Sequence, residues 1–172
     1  MKAILLLLVL PLMGGPLHQY RSLRLGMQPG QAVRAVESDI HTNAQMFKAV
    51  GPELKAERHR YSGKGETISL LFWDNRLIEI RIDLDLVSPG DADAYLTKLR
   101  GEFGPESRAE TKKSEEGLEL RTFRWESGTT RLTMFRSAHA TYLKYEDLAG
   151  LAQMTREVNL PRVPPKQELP GL

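Results

Sequence analysis

Ile78, Ile80, Ile82, Leu84 and Leu86 alternate with Glu79, Arg81, Asp83 and Asp85. That period of two predicts a strand with one face buried and the other wet. Residues 68–73 form a second strand pattern just before it, and Asp74-Asn75-Arg76 makes a tight turn between the two. Residues 118–126 and 131–136 read as two more strands, joined by Ser127-Gly128-Thr129-Thr130 with glycine where a hairpin wants positive φ. Residues 140–145 add another. Within 118–126, Leu118 and Leu120 have the opposite parity to Phe123 and Trp125, so that strand either bulges or is apolar on both faces. Strands joined by such short turns must run antiparallel.

Helical spacing takes over elsewhere. Val33, Val36, Ile40, Ala44 and Phe47 fall on one stripe. Tyr95, Leu96, Leu99 and Phe103 form a narrower one, preceded by Ser88 as N-cap, Pro89 at the first helical position and Asp91 as the capping-box acid. After Glu146 a weaker pattern (Leu148, Leu151, Ala152, Thr155, Val158) predicts a C-terminal helix. Pro161, Pro164, Pro165 and Pro170 then exclude helix and sheet interior from the tail.

The pattern repeats. Gly51-Pro52-Glu53-Leu54-Lys55-Ala56-Glu57 recurs as Gly104-Pro105-Glu106-Ser107-Arg108-Ala109-Glu110. Leu71-Phe72-Trp73-Asp74 corresponds to Phe123-Arg124-Trp125-Glu126, which pairs the chain's 2 tryptophans, and Gln28-Pro29-Gly30 corresponds to Ser88-Pro89-Gly90. Three matches in one order point to duplication. The expected fold is α+β: a duplicated unit of a helix followed by antiparallel strands, giving a meandering sheet with helices packed on one face. The units divide as 18–87 and 88–146, preceded by a leader (1–17) and followed by a C-terminal helix (147–160) and a proline-rich tail (161–172).

Leu25-Gly26-Met27 followed by Val33, the Phe72-Trp73 strand and Asn75-Arg76-Leu77-Ile78-Glu79-Ile80 carry a family resemblance. The chain resembles, over 25–86 and again over about 88–146, the superfamily of the outer-membrane assembly lipoproteins SmpA/OmlA (BamE-like) and the β-lactamase inhibitor protein. The resemblance implies an envelope location and a concave sheet that grips a protein partner. The chain departs from those families in having neither a lipidation cysteine nor a disulfide.

With 172 residues the chain suits one domain, or two small halves sharing a core. The absence of cysteine excludes disulfides, thiolate metal sites and a cysteine nucleophile. A hydrophobic content of 41% with 27% charged residues is that of a globular protein. The formal charge of +2 is too balanced to argue for nucleic acid. Met1-Lys2 precedes an apolar run at residues 3–13. As a helix that run rises about 16 Å, roughly half a hydrocarbon core. This is the layout of an export signal, and it places the protein in the periplasm or outside the cell. Gly14-Gly15-Pro16 is a poor cleavage site, so the leader is either removed or kept as a short membrane tether.

Candidate chemistry is sparse. His18, His41, His59 and His139 lie far apart, without metal-ligand spacing, and Arg58-His59-Arg60 reads as a charged strand edge. Ser62-Gly63-Lys64-Gly65-Glu66-Thr67 fails as a phosphate loop and reads as a hairpin turn. Asp83 and Asp85 belong to a wet strand face, and Asp91 and Asp93 to a helix's first turn. What remains is a surface of Arg121, Arg124, Arg131 and Arg136 among Phe123, Trp125 and Phe135; this is a hot-spot composition, although core aromatics with solvated arginines is the simpler reading of the same residues. The expectation is a non-enzymatic module, without cofactor or metal, that binds another envelope protein through Trp73, Trp125, Arg121, Arg124 and Arg131. The alternative is a small-molecule or lipid binder with a pocket between sheet and helices lined by Phe47, Tyr95 and Phe103; a hydrolase is disfavoured.

Overall fold

The computed structural model describes residues 17–39, 55–63, 65–85 and 88–159. Residues 1–16 of the leader, Ile40, His41, Ala44, Phe47, the first Gly-Pro-Glu-Leu segment at 51–54, Lys64, Leu86 and the proline-rich tail lie outside the described residues. In chain order the elements are β1 (Gln19–Tyr20), β2 (Leu23–Arg24), α1 (Pro29–Asp39), β3 (Ala56–Gly63), β4 (Glu66–Trp73) and β5 (Arg76–Leu84). Then follow α2 (Pro89–Phe103), β6 (Arg108–Lys113), β7 (Glu119–Ser127), β8 (Thr130–Arg136), β9 (Thr141–Asp147) and α3 (Leu148–Asn159). The fold is α+β.

Seven strands make one antiparallel sheet in the order β3-β4-β5-β9-β8-β7-β6. It is therefore two meanders rather than one. From β5 the chain crosses through α2 to the far edge, then works back to the centre, where β9 pairs with β5. The turns follow their residues. Asp74 and Asn75 both take positive φ, 49° and 59°, as a two-residue turn matched to strand twist requires. Gly128 supplies φ of 58° between β7 and β8. At α2, Ser88 Oγ accepts from the Asp91 amide while the Asp91 carboxylate accepts from the Ser88 amide at 2.9 Å, completing the capping box.

The main core lies between one sheet face and α1 with α2. Ala32, Ala35 and Val36 come from α1, and Ala92, Leu96 and Leu99 from α2, with Tyr95 and Phe103 packed half-buried beside them. The sheet supplies Tyr61, Leu70, Phe72, Ile80, Ile82, Phe123, Trp125, Leu132, Met134, Leu143 and Tyr145. Each fully buried aliphatic side chain here is worth about 1.5–3 kcal/mol. The short hairpin β1–β2 closes one side, with Leu23 buried. On α1, Val33 is only half-buried, because the inward stripe runs through Ala32, Ala35 and Val36 instead.

Three expectations change. Helices do not share one face: α3 packs on the opposite side, where Leu151 and Met154 cover Leu71, Trp73 and Ile78. Second, Ile78 leaves the buried row of Ile80 and Ile82, because a β-bulge separates the pairs Leu71↔Glu79 and Phe72↔Leu77. The extra residue turns Ile78 to the α3 side and Leu77 into the main core. Third, His59 is buried rather than a charged edge residue; Arg58 and Arg60 are exposed, while His59 packs 5.0 Å from the Phe72 ring with Nδ1 3.3 Å from the Tyr61 hydroxyl. Strand β7 keeps a regular register, so Leu120 sits on the face opposite Phe123 and Trp125.

Candidate functional site

Strand parity leaves one sheet face with α3 along one end and the rest open among the described residues. Across that open face the pairings Arg60↔Ser69, Ser69↔Arg81, Arg81↔Lys144, Lys144↔Thr133, Thr133↔Arg124 and Arg124↔Arg108 join into a single line. The line crosses all 7 strands, about 29 Å at ordinary strand spacing. Its members are cations or hydroxyls, with no carboxylate. Cations directly opposite each other in a sheet repel, as Arg81 does Lys144 and Arg124 does Arg108.

Acids in the adjoining rows offset part of that repulsion. Arg81 donates to Asp83 through Nε at 3.0 Å and Nη2 at 2.7 Å. Lys144 lies 2.8 Å from the Glu146 carboxylate, and Arg131 donates to the same group at 2.8 Å. Glu146 is 3% exposed. Burial pushes its pKa up, but the Arg131 and Lys144 hydrogen bonds outweigh it and hold the carboxyl below its usual range. Glu110 pairs with Arg108, Lys112 and Arg124. Arg60 has no carboxylate partner among the described residues.

Next to the basic line lies an aromatic pair. Phe135 and Tyr142 face each other on β8 and β9 and stack at 4.8 Å between ring centroids, 16° from parallel. The Arg81 guanidinium stands 4.0 Å over the Tyr142 ring. Both aromatics are half-buried, accessible to a partner without any rearrangement of the core.

The residues expected at the site are not brought together. Trp73 and Trp125 are both buried, 4% and 3% exposed, and on opposite faces. Trp125 belongs to the main core; Trp73 lies under α3, and its Nε1 is buried without a hydrogen-bond partner among the described residues. Arg121 is on the α2 side of the sheet, paired with Glu119. Only Arg124 and Arg131 are on the open face, Arg124 within the basic line and Arg131 one row away. Arg81, Tyr142 and Lys144 lie in strands that the sequence predicts, and their outward parity is the one sequence signal for a role; their adjacency depends on β9 pairing with β5.

Two further polar features lie on the α2 side. Glu66, 7% exposed, accepts a hydrogen bond from the Tyr20 hydroxyl at 2.8 Å and is paired with Arg21 at 2.6 Å, which pins the β1–β2 hairpin to the sheet. Burial, and then the Glu66 bond, push the Tyr20 phenol well above its usual value; burial does the same to Tyr145. Separately, a cleft of about 400 Å³ opens between the start of α2 and the ends of β7, β8 and β9, lined by Ser88, Ala92, Arg121, Arg136, His139 and Thr141 among others. Neither Tyr95 nor Phe103 lines it, and Phe47 lies outside the described residues. No group of three or more His, Asp or Glu side chains suited to a metal occurs among the described residues, and none of the described helices is long and apolar enough to cross a membrane.

No protein-family model matches this chain, and no match was found among curated proteins or solved structures.

Proposed function

We propose that this protein is a non-enzymatic binding module of the cell envelope, acting as an assembly factor, inhibitor or accessory subunit through its open sheet face. The observation that carries the reading is the stacked Phe135–Tyr142 pair capped by Arg81 in the middle of that face. Aromatic and arginine side chains at the centre of an exposed surface supply most of the energy of protein recognition. The export layout at residues 1–13 supports the envelope location. The tryptophans enter this reading as supports of the sheet and not as contacts.

The module is proposed to be a duplicated unit, in keeping with the resemblance to the SmpA/OmlA and β-lactamase inhibitor superfamily. Element order supports this, since α1 precedes β3–β4–β5 as α2 precedes β6–β7–β8, with β9 filling the centre. The two tryptophans do not share a face, so their match in sequence is not evidence for it.

Affinity purification from native cells, with mass spectrometry of the retained proteins, tests the binding reading. One dominant envelope protein, lost with the Phe135→Ala/Tyr142→Ala double variant, is the expected result. Equal recovery with that variant overturns it. The 400 Å³ cleft favours a second reading, a small-molecule binder, which predicts a ligand retained through purification and lost with Arg136→Ala.

A further inference from the structure

We infer that the partner presents an acidic polypeptide segment to the line Arg60–Ser69–Arg81–Lys144–Thr133–Arg124–Arg108. The inference rests on the open face being the binding surface and names the chemistry of what it binds.

Seven consecutive strands place a cation or a hydroxyl at the same level, with 5 of the 7 positions basic. Like charges on facing residues of such a row repel, and the ion pairs to the adjoining rows offset that repulsion only in part. Exposed positions are free to alternate in sign, and the adjoining rows do carry acids: Asp83 and Glu110 on one side, Glu79, Glu146 and Glu126 on the other. The row is thus a narrow positive track with acidic margins. Arg60 and Arg108 are exposed at its two ends, and the side chains of Arg81, Lys144 and Arg124 are about 30–40% exposed along its middle.

Charge complementarity selects the occupant. Carboxylates spaced along a peptide meet guanidinium groups in forked pairs, and the half-buried Ser69 hydroxyl between Arg60 and Arg81 donates to a backbone carbonyl or carboxylate, while Thr133 is buried beneath its neighbours. A nucleic-acid strand fits less well. Its phosphates are continuous and meet the flanking acids as well as the cations, whereas carboxylates on alternate residues of an extended peptide can reach the cations alone. The chain's own tail offers no such occupant, since residues 161–172 hold Glu168 against Arg162 and Lys166.

The test uses the purified full chain and fluorescently labelled probes: a glutamate decapeptide, a lysine decapeptide and a ten-nucleotide oligothymidine, followed by anisotropy at low and physiological salt. Binding of the glutamate peptide, weakened by salt and at least about tenfold by Arg81→Gln/Arg124→Gln, is expected. Arg60→Gln/Arg108→Gln touches no core residue and is expected to weaken binding with an unchanged urea midpoint, which separates lost contact from lost fold. Tighter binding of oligothymidine, equal binding of both peptides, or no effect of either variant overturns the inference. In cells, a partner lost with Phe135→Ala/Tyr142→Ala but kept with both arginine pairs replaced would leave the binding face standing and remove the acidic segment.

Discussion

The indole of Trp125 donates its Nε1 hydrogen to the Gly104 carbonyl at 2.9 Å, tying β7 to the C-terminus of α2. Gly104 takes φ of 79° as the helix ends, so this carbonyl has left the helical ladder and the indole satisfies it. Trp73 has no equivalent bond among the described residues. Trp125→Phe therefore leaves a carbonyl unpaired, while Trp73→Phe removes an N–H that was already unpaired. Urea unfolding of both variants is expected to rank Trp125→Phe as the more destabilising by at least about 1 kcal/mol. The reverse order would mean that the two indoles are placed wrongly.

Gly150 in α3 approaches the sheet closely. A Cβ there would meet Ile78 Cγ2 at 2.6 Å, whereas one at Gly101 in α2 would meet nothing within 4 Å. Gly→Ala in a helix ordinarily stabilises by about 0.5–1 kcal/mol. Gly101→Ala is expected to follow that rule. Gly150→Ala is expected to destabilise by about 1–3 kcal/mol and shift Trp73 emission as α3 lifts. Thermal melts with fluorescence on a Trp125→Phe background read both effects.

Glu146 makes stability depend on acid pH. Its folded pKa lies below the unfolded value of about 4.3, so the stabilisation is complete above that value and is lost as pH falls through the folded one. Glu146→Gln is expected to be less stable at neutral pH and to show a shallower loss of stability between about pH 5 and 3. Chemical denaturation across that range measures the slope.

The buried phenols act at the other end of the scale. Tyr20 and Tyr145 are raised above the ordinary value of about 10, both chiefly by burial. Their contribution is complete below about pH 10 and is lost as pH rises through the raised values. In the native protein their phenolate absorbance is expected only together with unfolding. Glu66→Gln is expected to loosen the β1–β2 hairpin, seen as faster amide exchange at Leu23 and Leu25.

Local features were legible because their causes are local. Ser88, Pro89 and Asp91 mark the start of α2, and Asp74-Asn75 and Gly128 fix two hairpins through backbone preference alone. Strand β6 carried no hydrophobic signal, since Arg108–Lys113 is an edge strand with no buried residue. The bulge at Ile78 and the crossing of α3 to the second face depend on contacts distant in sequence, so a strict period of two put Ile78 on the wrong side. The site suffered most. Arg124 and Arg131 were legible as surface cations, but Arg81 and Lys144 become neighbours only through the β5–β9 pairing.

Site-specific photocrosslinking in native cells tests the central claim most directly. A photoreactive residue at Ser69, in the basic line, is compared with one at Thr97, exposed on α2 on the opposite side. The account predicts one dominant protein adduct from position 69, abolished by Phe135→Ala/Tyr142→Ala, and none from position 97. Adducts from position 97 alone, or none from either in a folded and abundant protein, would contradict it.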